Sequence, residues 1–179
     1  MPIVKIEFVG AVALGALWVL SASDCSARDM NVGTYRCSQL TEYFYGDPLK
    51  ARMSRFSEAP LDKQYAIYIC GNQYLEPPAT YLAKPLASEG SKAVVLLKEK
   101  LSRANDDGTI RDVILVFAEM SRQKTYAVSS DRELMKLITD GVARMKDDGW
   151  RRIVEGMLGE IKSGTSSASP DGRLDTGEK

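Results

Sequence analysis

Apolar residues recur at helical spacing through most of the chain. Ile110, Val113, Ile114, Phe117 and Met120 form one stripe, widened by Val116. It predicts a helix over 109–121 at the centre of the core. Leu134, Leu137, Ile138, Gly141, Val142 and Met145 carry a second stripe, with Ser130 and Glu133 in the positions of a capping box. Asp147-Asp148-Gly149 interrupts it. Trp150, Ile153, Val154, Met157, Leu158 and Ile161 then predict a last helix over 150–161. Upstream, Ser91 is placed to cap a helix over 92–103, with Ala93, Val94, Leu97 and Leu101 on its apolar side. Asn105-Asp106-Asp107-Gly108 reads as the turn that follows it.

The N-terminal half is less regular. Residues 28–34 read as a loose lead-in. Cys37, Leu40 and Phe44 at i, i+3 and i+7 predict a helix within 35–45, ended by Gly46-Asp47-Pro48. A short helix over 49–56 follows. Leu61, Tyr65, Tyr68, Ile69 and Asn72 share one face and predict a helix over 61–75, with Pro60 in its first turn and Glu76-Pro77-Pro78 closing it. A strand competes there, because Tyr65-Ala66-Ile67-Tyr68-Ile69-Cys70 is rich in aromatic and β-branched residues. Residues 79–87 allow a single turn or a short helix interrupted at Pro85. The expectation is all-α: a small orthogonal helical domain of five to six helices with one disulfide, spanning 28–162. From 163 to 179 the chain is Gly, Ser, Thr and Asp with one large apolar residue, Leu174, and is read as a disordered tail.

The first residues have a different pattern. After Lys5, the uncharged run from Phe8 to Leu20 leads into Ser21-Ala22-Ser23 and Cys25-Ser26-Ala27. A short apolar core with a small-residue exit is the pattern of a secretory signal peptide, read here as 1–27. Cleavage after Ala27 leaves two cysteines, and cleavage before Asp24 leaves three; an even count suits an exported chain. The competing reading keeps residues 6–22 as an uncleaved anchor in the inner membrane.

Charge and composition then narrow the function. There are 24 basic and 24 acidic side chains. Such balance offers no footprint for nucleic acid. The chain has no histidine, so Ser-His-Asp and Cys-His catalysis and histidine metal sites are excluded. Three cysteines cannot build a four-cysteine zinc site. No cofactor or metal is expected. The carboxylates Asp62, Glu76, Asp112, Glu119 and Glu155 are scattered and read as solvated charges.

In an oxidising compartment Cys37 and Cys70 should pair and staple helix 35–45 to helix 61–75. The loop so closed is worth roughly 4 kcal/mol in the chain-entropy account. Tyr35-Arg36-Cys37-Ser38-Gln39-Leu40, with Cys70 as partner, resembles the aromatic-x-Cys motif of the small acid-stress chaperones of the bacterial periplasm. The resemblance covers residues 33–75, and the stretch after Cys70 is much longer than that family's. Small periplasmic immunity proteins against secreted toxins share the same outline. Both resemblances imply a binding role. Tyr35, Tyr43, Tyr45, Tyr65, Tyr68, Tyr74 and Tyr81 cluster in the stapled half and are the candidate binding residues. The expectation is therefore an exported, non-enzymatic, protein-binding or chaperone-like protein of the periplasm, or a secreted one. Its partner would be another envelope or secreted protein. The alternatives are a membrane-anchored assembly subunit and a toxin inhibitor.

Overall fold

Helix α5 (Asp107–Gln123) runs through the middle of the domain, and its apolar stripe is wholly enclosed. Ile110, Val113, Ile114, Val116, Phe117 and Met120 are all without exposed surface. The computed structural model describes residues 29–164; the expected signal peptide (1–27) and all but the first two residues of the expected tail (163–179) lie outside the described residues. A short hairpin opens the described chain, β1 (Asn31–Val32) against β2 (Tyr35–Arg36), where a loose lead-in was expected. Next come a 3-10 helix (Cys37–Tyr43), α1 (Leu49–Glu58) and α2 (Leu61–Gln73). After a 3-10 turn (Thr80–Leu82) follow α3 (Ala83–Ser88), α4 (Ser91–Arg103) and α5. A second such turn (Val128–Ser130) leads to α6 (Arg132–Arg144) and α7 (Asp148–Ser163).

The fold is all-α apart from that hairpin, with one Cys37–Cys70 disulfide, but the helix count corrects the expectation of five to six. Seven α-helices and the seven-residue 3-10 helix make eight among the described residues. The surplus lies in the proline-marked gaps. α3 is only six residues long, too short to show a stripe, and it accommodates Pro85 in its first turn. Amides there have no intrahelical acceptor, so proline sacrifices nothing.

α2 is a helix and not a strand, but it is not amphipathic. Every residue from Gln64 to Asn72 is buried. Such a helix belongs to the interior whatever its moment. The core therefore has two internal helices, α2 and α5, and Tyr68 of α2 donates its hydroxyl hydrogen to the Asp112 carbonyl of α5 at 2.8 Å. α3 and α7 pack on α5, and α6 packs on α4.

Helix starts are set by aspartates one or two residues from their expected places. Asp106 accepts from the Thr109 amide at 2.7 Å, so the Asn105–Gly108 turn already contains the first residues of α5. Asp131, not Ser130, caps α6 through the Leu134 amide at 2.9 Å, while Glu133 pairs with Lys98. Asp147 caps α7 through the Trp150 amide. Before α4 the cap position is Gly90 rather than Ser91. Its φ of 55° is left-handed, and a Cβ there would lie 3.0 Å from the Thr125 carbonyl oxygen.

Phe117 fills the centre of this packing. Phe117→Ala is expected to cost about 3–5 kcal/mol in a denaturant melt; a loss below about 1 kcal/mol would contradict its central position.

Candidate interaction surface

Two loops converge on one point of α2. A Cβ added to Gly71 would lie 2.9 Å from the Ala79 Cβ and 2.9 Å from a Phe44 ring carbon. The Ala79 amide donates to the Gly71 carbonyl at 2.8 Å. Glycine is required because both loops approach α2 more closely than any side chain allows. The neighbouring residue, Cys70, carries the disulfide to Cys37, and both cysteines are fully buried. The loop after Phe44 is held to α1 by Arg52, which donates to the Phe44 carbonyl, and by Arg55, which pairs with Asp47.

With Phe44 and Ala79 buried as plugs, the residues beside them face outward. Tyr45 is 59% exposed and Tyr81 43%, and Tyr74, at the C-terminus of α2, is 36% exposed. Leu49, at the start of α1 and four residues after Tyr45, is exposed too. The other candidate tyrosines lie elsewhere. Tyr43, Tyr65 and Tyr68 are buried, which removes them from any contact surface of this fold. The Lys63 ammonium stands 5.0 Å from the Tyr43 ring centre and that of Lys100 5.7 Å from the Tyr65 ring centre. Tyr35 is partly buried and donates to Asp62 at 3.0 Å. The sorting has a signal in the sequence. The outward tyrosines adjoin Gly46 or flank Pro77-Pro78, whereas Tyr65 and Tyr68 sit within a helix.

A second cluster was missed. Asp112 is not a solvated charge; it is fully buried. Its Oδ1 accepts from Arg111 Nε at 2.8 Å and pairs with Nη2 at 2.7 Å, and its Oδ2 accepts from Gln73 Nε2 at 2.9 Å. Asn72 is buried beside it, and among the described residues neither of its amide atoms makes a hydrogen bond of ordinary geometry. Burial pushes the Asp112 carboxyl above the usual carboxylate range, and the Gln73 and Arg111 contacts offset part of that. The Arg111 guanidinium lies 4.3 Å from the centre of the Trp150 ring. Trp150 and Ile153 also depart from expectation. Both are exposed, and α7 buries Val154, Leu158 and Ile161 instead.

The remaining carboxylates do not converge. Asp62 holds Tyr35, Glu119 pairs with Arg122, and Glu76 and Glu155 are exposed. Among the described residues no group of acidic or cysteine side chains is arranged to hold a metal ion, and no helix is long and apolar enough to cross a membrane. No protein-family model, curated protein or solved structure matches the chain.

The Asp112 environment has a pH signature. Its folded pKa is raised, so its contribution to stability is complete below the unfolded carboxylate pKa and is lost as pH rises through the folded value. Asp107 and Asp131 act in the opposite sense. The Lys146 and Asp147 amides hold Asp107 down, and the Leu134 amide with Lys98 holds Asp131 at about 2, so their contributions are lost on acidification. Asp112→Asn should therefore gain stability relative to wild type as pH rises from about 4 to 7. Urea melts across that range check this, and parallel stability profiles for the two proteins would contradict it.

Proposed function

We propose that this chain is an exported, non-enzymatic protein-binding protein of the bacterial periplasm, chaperone-like in presenting a contact surface rather than a reacting centre. Tyr45, Leu49, Tyr74 and Tyr81 form that surface. The observation that carries the reading is the pair of loops closed on Gly71, which turn three tyrosine rings outward beside a buried disulfide. Tyrosine offers a large, stiff ring with a polar tip, the kind of side chain enriched at protein interfaces. Loops held by a rigid scaffold are where binding residues concentrate. A buried disulfide suits an oxidising compartment, in agreement with a signal peptide at 1–27. The partner is another envelope or secreted protein. With 24 charges of each sign, shape and hydrogen bonding select it rather than net charge.

The test is photo-crosslinking in the native cell. A photoreactive aromatic residue is placed at position 45 or 81, with Val95, exposed on α4, as the control position. Crosslinks to one protein are expected from 45 and 81 and not from 95, on a chain whose intact mass starts at Arg28. Tyr45→Ala with Tyr81→Ala should weaken binding at least tenfold, about 1.4 kcal/mol, without lowering the melting temperature. Equal crosslinking from 95, or unchanged binding by the double variant, would overturn the assignment. A full-length chain held in the membrane would replace it with the anchored subunit.

A further inference from the structure

Among the described residues, nothing covers one face of α7. Val154, Leu158 and Ile161 turn inward, while Ile153 is 49% exposed and Trp150 41%, even with Arg111 against its ring. A cleft opens between them, lined by Gly149, Trp150, Arg152 and Ile153 together with Asp147. Gly149, Arg152, Ile153 and Gly156 stand at i, i+3, i+4 and i+7, the four corners of a hole that receives a knob in helix packing. Glycine at both ends leaves that hole deep. Gly149 lies tight against its own cap, with a Cβ position 3.0 Å from Asp147 Oδ1. Among the described residues Gly156 has no such reason, since a Cβ there would meet no atom within 4 Å. An exposed helical glycine costs about 1 kcal/mol against alanine.

We infer that a second copy of this chain covers this face, through an antiparallel contact of α7 with α7 about a two-fold axis. Residues at the centre of such a contact meet their own counterparts. An axis beside Ile153 sets each Ile153 as the knob in the other copy's hole. The same register brings each Trp150 level with the other copy's Gly156, a large ring opposite no side chain. It also brings Arg152 and Glu155 to within one residue of level across the axis. Among the described residues neither has an ion-pair partner inside the chain, so their charges complement one another twice in the pair. A parallel arrangement would instead oppose Arg152 to Arg152. A single helix pair is a small interface, so the dimer forms reversibly with concentration. This inference rests on α7 alone and is independent of the tyrosine surface.

Sedimentation velocity of the purified protein over a concentration series tests it. The wild type should shift from monomer to dimer as concentration rises. Gly156→Leu fills the hole and should abolish the shift, with a melting temperature equal to or above wild type because a helical glycine is removed. In a Cys25→Ser background, Ile153→Cys should crosslink to itself on mild oxidation, whereas Val95→Cys should not. A wild type that stays monomeric throughout, or a dimer undiminished in Gly156→Leu, would overturn the proposal. Tyr45→Ala and Tyr81→Ala should leave dimerisation unchanged, which separates failure here from failure of the tyrosine surface.

Discussion

Enclosure of α2 on every side is the constraint around which the N-terminal half is arranged. A short helix can be surrounded only if its neighbours come close, and three features of α2 allow it. Cys70 bonds covalently to Cys37, Gly71 admits Phe44 and Ala79 against the backbone, and Tyr68 reaches across to the backbone of α5. The elements brought in by these contacts are short: a hairpin, a 3-10 helix and α1. None buries a broad stripe of its own. The closed loop is worth roughly 4 kcal/mol in the chain-entropy account, a large share of the stability of an ordinary domain.

The C-terminal half works differently. α4 to α7 each carry an apolar stripe, and α5, α6 and α7 begin at an aspartate whose side chain accepts an amide of the first turn. These helices satisfy one another without a covalent link. Asp107, in the first turn of α5, accepts from the amides of Lys146 and Asp147 and so joins the starts of α5 and α7. The Asp112–Arg111–Trp150 chain connects the same helices from α5 outward, and Gln73 ties it to the end of α2. Stapled half and striped half therefore meet at a buried carboxylate.

The stripes made α4 to α7 legible, with ends misplaced by only one or two residues where an aspartate displaced an expected serine cap or turn. The excess in the helix count falls in the proline-marked gaps, chiefly at α3, whose six residues are too few to show a period. α2 was legible as a helix and not as an interior one. Gln64 and Asn72 look like solvent positions, and only the close approach at Gly71 explains why that side is covered. The cysteine pair was readable from the cysteine count and the expectation of an oxidising compartment. Of the candidate surface, proximity to Gly46 and Pro77-Pro78 picks out Tyr45, Tyr74 and Tyr81, but composition alone had grouped them with three core tyrosines and the partly buried Tyr35. Asp112 had no local signal, since Gln73, which closes over it, lies 39 residues away. The exposed face of α7 was hidden for a related reason: Trp150 and Ile153 lie next to the buried stripe, and spacing alone cannot tell the edge of a core from its outside.

The central claim is that the disulfide holds α2 and its loops in place while α5, α6 and α7 hold themselves. Amide hydrogen exchange of the oxidised and the gently reduced protein addresses this directly. On reduction, protection should fall over residues 35–48 and 61–82 and persist over 109–123, 132–144 and 148–163. Uniform loss of protection along the chain, or no change anywhere, would contradict the claim.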